Sequence, residues 1–308
     1  MTASVSSSKL NNGVSIPSIG AGPGGADDVR QMVEDALKIG YRHIDTAWAY
    51  QNEEYVGQAI RNSGIPREEI YLVTKLAQLH HVIVQEALDI SLKRLGVDYV
   101  DLYLMHWPQA IDANGKVLAP DQSPTFVETW QAMEKLLDTG KVKSIGVSNF
   151  SIKTLDILLP HVKIVPAVNQ VEIHPLLPQF GLREYCTKKG ILVTAYSPLG
   201  QAHPDLLQND VLKQLAARKS GTVAQVIMGW FIKKGIVVIP KSGNPVRLQE
   251  NFSPVEITDE DEAQIDAIHK APGLHRSLLT KYHNPDGSVF GWSYEWLGWP
   301  YKKGGVIS

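Results

Sequence analysis

Four ionisable residues of complementary type stand at or just past the ends of short apolar runs. Asp45 ends the run in "YRHIDTA" and Tyr50 follows in "DTAWAY"; Lys75 ends "IYLVTKL", and His106 ends "YVDLYLMHW". Taken singly, each has an ordinary explanation: a helix cap, a packing tyrosine, a rim lysine, a hydrogen-bonded core histidine. Together they form a set with a specific capability. A tyrosine with a free pKa near 10 is a poor acid at neutral pH. A nearby ammonium favours the phenolate and lowers that pKa, and a carboxylate holds the ammonium in place and keeps it charged. A neighbouring histidine donates to a substrate oxygen or relays a proton. Such a set suits protonation of an oxygen on which negative charge is developing. Reduction of a carbonyl to an alcohol demands this, with a hydride supplied by a cofactor.

A second candidate site is "IPKSGNPVRLQEN", where a helix opens beside Lys241, Ser242 and Arg247. A helix N-terminus flanked by cations is an anion cradle. A phosphate on a ribose 2′ position is its natural partner, which favours NADPH over NADH. A competing cofactor motif lies near the start. "GAGPGG", with Gly20, Gly22 and Gly25 and an acidic Asp45 twenty residues on, imitates a dinucleotide-binding fingerprint. However, Asp27 and Asp28 open the helix that follows and would repel a pyrophosphate, and Pro23 removes a backbone donor. Asp45 already has Lys75 as its partner. The stretch therefore reads as the loop after a first strand, on the substrate side.

These residues need a scaffold that brings strand ends together. Short apolar runs at about residues 17–20, 42–45, 71–75, 100–106, 143–147, 166–170, 191–195 and 236–239 alternate with amphipathic helical patterns. "ADDVRQMVEDALKIG" places Val29, Met32, Val33, Ala36 and Leu37 on one face. Ser123-Pro124 is expected to open a helix running to Gly140. This alternation predicts an α/β fold with a parallel sheet, and eight repeats over this length suit a closed (β/α)8 barrel. An open doubly wound sheet is the alternative, since periodicity does not report closure. In a barrel, chemistry gathers at the C-terminal strand ends. Ser148, Asn149, Gln170, Tyr196 and Ser197 also stand there. The tail after Gly273, with Trp292, Tyr294, Trp296, Trp299 and Tyr301, either packs on the barrel wall or covers the site.

The 308 residues carry a net charge of −2, with 44% hydrophobic and 20% charged residues, and so give no support for a nucleic-acid or membrane-surface partner. No apolar run reaches the roughly 18 residues of a membrane span. Cys186, the single cysteine, has no internal partner, and with no leader pattern at the N-terminus a cytoplasmic protein is expected.

The stretches "GYRHIDTAWAYQNEEYVGQAI", "DLYLMHWP", "GVSNF", "VNQVEIHP", "AYSPLG" and "IPKSGNPVRLQEN" resemble the signatures of the aldo-keto reductase superfamily, from Lys9 to about Pro272. The resemblance implies one domain over residues 1–308: a (β/α)8 TIM barrel with an N-terminal β-hairpin cap and an irregular C-terminal tail. It implies NADPH/NADP+ as cofactor, a small carbonyl substrate and no metal. It makes Asp45, Tyr50, Lys75 and His106 the catalytic tetrad, with Tyr50 the general acid, its pKa depressed by Lys75. Ser148, Asn149 and Gln170 match residues that hold the nicotinamide carboxamide, and Tyr196 the ring stacked on it. Ser197 and Leu199 match pyrophosphate contacts. Lys241, Ser242 and Arg247 match the 2′-phosphate clamp, Asn244 is a further cofactor-binding position, and Glu250 and Asn251 match the adenine contacts. The family is mostly monomeric, with a dimer contact through the tail as the alternative here. A nucleotide-binding regulatory subunit on the same barrel is a competing function.

The chain departs from the family pattern in two places. Pro23-Gly24 stands where a bulky residue is usual, and Ala77 where a Trp is frequent. Trp107 is kept. Losing two large rings predicts a broad pocket bordered by Pro23, Gly24, Trp48, Ala77 and Trp107, partly refilled by Trp292, Tyr294 and Trp296.

Overall fold

The computed structural model describes residues 6–307. A β-hairpin, β1 (Ser7–Lys9) and β2 (Ser15–Pro17), comes first. Seven parallel strands follow: β3 (His43–Asp45), β4 (Tyr71–Leu76), β5 (Val100–Met105), β6 (Val142–Ser148), β7 (Val168–Glu172), β8 (Leu192–Tyr196) and β9 (Val237–Ile239), paired in chain order. Helix α1 (Val29–Ile39) precedes β3, and between the strands run α2 (Glu53–Asn62), α3 (Val84–Leu95), α4 (Phe126–Glu134), α5 (Ile152–Leu158) and α6 (Phe180–Lys188). After β8 come the short α7 (Pro204–Leu207), then α8 (Asp210–Arg218) and α9 (Val223–Lys233); α10 (Pro245–Phe252) and α11 (Asp259–Ala267) follow β9.

The expected first strand of the eight, at about residues 17–20, is reduced to single bridges, Ile19 with Val238 and Ala21 with Ile44, both parallel. They suffice to close the ring between β9 and β3. Val238 N–H donates to Ser18 O at 2.9 Å, Gly20 N–H to Val238 O at 2.8 Å, and Ala21 N–H to His43 O at 2.8 Å. Close approach is the reason for the glycines here. A Cβ on Gly20 would lie 2.6 Å from the His43 ring, and one on Gly22 3.1 Å from the Ile239 carbonyl oxygen. The motif that imitates a phosphate loop is thus the seam of a barrel.

Strand parity sorts the side chains. Tyr71, Val73, Leu102, Leu104, Val168 and Val237 pack in the barrel interior together with Leu10 and Ile16 of the hairpin segment. Their neighbours Leu72, Leu76, Tyr103 and Met105 face the helices. Because side chains alternate with period two, Lys75 is stacked above Val73 and His106 above Leu104.

Two boundaries differ from expectation. Ser123 does not cap α4. Thr125 does, in a reciprocal capping box with Glu128, because the residue three positions on must return a carboxylate to the cap backbone. The helix also gives way at Lys135 to a 3-10 segment ending before Gly140. The tail contains a small hairpin, β10 (Ser288–Val289) and β11 (Trp292–Ser293), and one helical turn, α12 (Tyr294–Leu297). It is pinned at the end of β7, where Glu172 accepts from Ser277 Oγ at 2.6 Å and Leu278 N–H at 2.8 Å. It is pinned again beyond β5, where Gln109 Nε2 donates to Val289 O at 2.9 Å. Among the described residues, no helix is long and apolar enough to cross a membrane.

Candidate active site

At the C-terminal mouth, Lys75 is fully buried and donates to Asp45, and to Thr46 O at 2.8 Å. The second oxygen of Asp45 accepts from Gln170 Nε2 at 2.7 Å. Burial pushes the Lys75 ammonium pKa down, but Asp45 and Tyr50 outweigh it and the net direction is up, so the charge is kept. The ammonium lies 5.1 Å from the centroid of the Tyr50 ring. Tyr50 is carried by a 3-10 turn, Trp48–Tyr50, and is 38% exposed at the mouth. Its ring meets His106 edge-on at 5.6 Å between centroids.

One expectation is corrected. Burial pushes the Tyr50 phenol up; Lys75 pulls the other way, and Asp45 and Tyr282 push up again, so the net direction is upward. The lysine has the expected sign of effect but does not win against desolvation. Burial, and then the Lys75 charge, hold the His106 imidazole well below its usual range. It is therefore neutral and keeps one N–H to donate.

The expected cofactor residues line one side of the same mouth. Ser148 Oγ donates to Gln170 O at 2.8 Å. Asn149 Nδ2 donates to His106 O at 2.9 Å, and its Oδ1 accepts from Tyr196 OH at 2.7 Å. Asn149 and Ser197 have φ of 66° and 47°, a conformation uncommon for non-glycine residues and concentrated at functional positions. Leu199 is partly buried nearby on the loop after β8. At α10, Asn244 caps the helix by accepting from Arg247 N–H at 3.2 Å, and Ser242 Oγ accepts from Asn244 N–H at 3.1 Å. Lys241 and Arg247 are exposed, with Glu250 half-buried. Lys241 Nζ donates to Gly25 O at 2.5 Å. Asn251 is 1% exposed, yet neither its amide oxygen nor its nitrogen has a partner. An orphaned buried amide costs roughly 1–3 kcal/mol, so this position suits a polar ring that bonds to it. The donor set fits a dinucleotide with an extra phosphate.

The expected pocket residues divide. Pro23 is buried and Gly24 half-buried; a Cβ on Gly24 would lie 3.0 Å from Tyr50 Cε2. Ala77 is buried, and the Trp48 ring packs against His80 at 4.3 Å on the turn that follows it. Trp107 meets Phe290 edge-on at 4.9 Å between centroids and lies near Trp299 at 5.9 Å. Trp292 is placed elsewhere: it is buried, packs on Phe126, and donates from Nε1 to Leu118 O at 2.7 Å. Trp296, 44% exposed, lines an outer groove with Trp292, Phe126 and Lys153. Tyr294 bonds to His283 Nδ1 at 2.8 Å. Trp292 and Tyr294 are buried in contacts within the tail and against the barrel wall, while Trp296 lies on the outer surface. Sequence reasoning missed Phe290 and Tyr282, which face each other at 5.5 Å. Nothing in a hairpin turn of two residues announces which ring will point inward.

A profile of the aldo/keto reductase family matches residues 10–270. The chain belongs to the aldo/keto reductase family. It is 46% identical over 286 residues to the glycerol 2-dehydrogenase (NADP(+)) of Saccharomyces cerevisiae, covering 87% of this chain and 92% of that protein. It is 45% identical to aldehyde reductase YPR1 of the same yeast, over 89% of this chain and 94% of the relative. Among solved structures, it resembles a Bombyx mori aldo-keto reductase in complex with NADP, with a TM-score of 0.81 and 36% identity over 86% of this chain and 93% of the other. Aldo/keto reductase membership makes the protein an oxidoreductase, and the mouth with Tyr50, Lys75, Asp45 and His106 is its candidate active site.

Proposed function

We propose that this aldo/keto reductase reduces aldehydes and ketones to alcohols with NADPH, with Tyr50 as the general acid. The observation that carries the reading is the fully buried Lys75, held charged by Asp45 beneath the exposed Tyr50 ring. When bound, the cofactor supplies a hydride. Lys241, Ser242, Asn244 and Arg247 would hold its 2′-phosphate, and Asn251 and Glu250 its adenine. Ser148, Asn149 and Gln170 would hold the carboxamide, with Tyr196 against the ring and Ser197 and Leu199 at the pyrophosphate. A carbonyl oxygen seated between Tyr50 and His106 receives an N–H hydrogen bond from the neutral imidazole, which polarises it. As charge develops there, the Tyr50 hydroxyl delivers its proton. The adjacent ammonium stabilises the phenolate left behind. In the reverse direction that phenolate takes the alcohol proton.

The small Ala77 supports a broad pocket that accepts bulky and aromatic carbonyls, walled by Trp107 and Phe290, with Gly24 lying against the Tyr50 ring. Residues 1–308 are read as one domain acting as a cytoplasmic monomer. The test is loss of NADPH absorbance with a panel of aldehydes and ketones. Tyr50→Phe is expected to lower kcat by roughly 10²–10⁴-fold while NADPH binding, followed by fluorescence titration, is retained. A variant that keeps most of its turnover would show that another group is the acid. A strong kcat/KM preference for a short aliphatic aldehyde over an aryl ketone would contradict the broad pocket.

A further inference from the structure

The segment carrying Tyr50 is closed at its base by two side chains with no part in the proton transfer. Thr46 and Asn52 flank it. Both are buried, and Thr46 Oγ1 donates to Asn52 Oδ1 at 2.6 Å. Asn52 stands at the N-cap of α2, where an asparagine ordinarily accepts from the first-turn N–H groups. Here its side chain makes no capping bond. It turns the other way, and Nδ2 donates to Pro23 O at 3.3 Å. On the far side, the Thr46 carbonyl accepts from Lys75 Nζ at 2.8 Å. A continuous path thus joins Pro23, Asn52, Thr46 and Lys75. Its two ends flank the same ring. Lys75 Nζ is 5.1 Å from the Tyr50 centroid, within range of a cation–π contact. Gly24, next to Pro23, has its backbone so close that a Cβ would come 3.0 Å from Tyr50 Cε2 and 3.3 Å from Cδ2 and Cζ.

We propose that Asn52 is a positioning residue for Tyr50: by linking Thr46 to the Pro23-Gly24 loop, it sets the spacing between the two groups that bear on the ring. This rests on the reading of Tyr50 as the acid. The geometry favours it because Tyr50 is more than one-third exposed. Its open edge faces the mouth, so the contacts at its covered side, from Lys75, the Gly24 backbone and the edge of His106, fix where the ring stands.

The experiment compares Asn52→Ala, Thr46→Val and Thr46→Ser with the unaltered protein and with Tyr50→Phe. It measures kcat and KM for one aldehyde, NADPH affinity, and the pH profile of kcat. The groups facing Tyr50 that shape that profile are Lys75 of β4, Asp45 of β3, His106 beyond β5, Tyr196 of β8 and Tyr282 of the tail. Asn52→Ala and Thr46→Val are expected to lower kcat about tenfold or more, leave NADPH affinity within about twofold, and displace the alkaline limb of the profile. Thr46→Ser, which keeps the hydroxyl, restores both. An unchanged kcat and profile in Thr46→Val, with Tyr50→Phe inactive, overturns the positioning role alone. An active Tyr50→Phe overturns the acid assignment and the positioning role with it. Circular dichroism checks folding. Should Asn52→Ala fail to fold, the near-isosteric Thr46→Val decides.

Discussion

At the scale of single residues, the balance at Tyr50 sets the pH behaviour. Its pKa is held above the ordinary phenol value, because burial outweighs the pull of Lys75. The protonated form, which reduction requires, therefore persists through the neutral range. His106, held well below its usual range, stays neutral across the same window. Carbonyl reduction is expected to show a flat kcat between roughly pH 6 and 9. Alcohol oxidation needs the phenolate, whose fraction grows as pH rises toward a raised pKa, so its kcat should climb over that window. Parallel profiles in both directions would contradict the assignment. The residue types were legible in the sequence because a carboxylate, an ammonium, a phenol and an imidazole at strand ends have few joint explanations. The net shift of Tyr50 was not, since desolvation depends on everything packed around the ring.

At the scale of elements, α10 separates two tasks. Its N-cap is satisfied internally by Asn244, which leaves Lys241 and Arg247 exposed for a ligand. Arg247→Ala is expected to raise KM for NADPH by about tenfold or more, with KM for NADH little changed, since a charged hydrogen bond contributes roughly 1.5–3 kcal/mol. Equal losses for both dinucleotides would remove the 2′-phosphate from the reading. The cap of α4 gives a stability counterpart. Thr125→Ala breaks a capping box whose residues belong to none of the proposed catalytic or dinucleotide groups, and should lower stability by about 1 kcal/mol, read from a denaturant midpoint, with kcat unchanged. Strand parity is the element-level rule that sequence carries best. A period of two places His43 and Asp45, and likewise Val73 and Lys75, on one face, and the barrel makes that face the interior. Helix starts were less legible: Ser123 and Thr125 are both plausible caps, and only the reciprocal bond to Glu128 separates them.

At the scale of the whole molecule, closure depends on Ser18–Ala21 slotting between β9 and β3. Gly20→Ala would push a methyl group into the His43 ring. It should destabilise by roughly 1–3 kcal/mol, seen as a lowered unfolding midpoint; an unchanged midpoint would mean that the seam adapts without strain. The tail is the other long-range feature. Trp292 anchors it through Leu118, so Trp292→Phe should lower stability by about 1 kcal/mol and loosen Phe290 against Trp107.

The alternation of elements, the residues at the strand ends and the anion cradle at Lys241 and Arg247 follow from the sequence, because local periodicity and residue chemistry are local properties. Closure through a strand reduced to two bridges does not, nor does the contact of Gly24 with Tyr50 or the choice of Phe290 over Trp292 to face the mouth. Each depends on distances between segments far apart in the chain, and those exist only once packing has fixed which backbones can approach and which rings must turn inward.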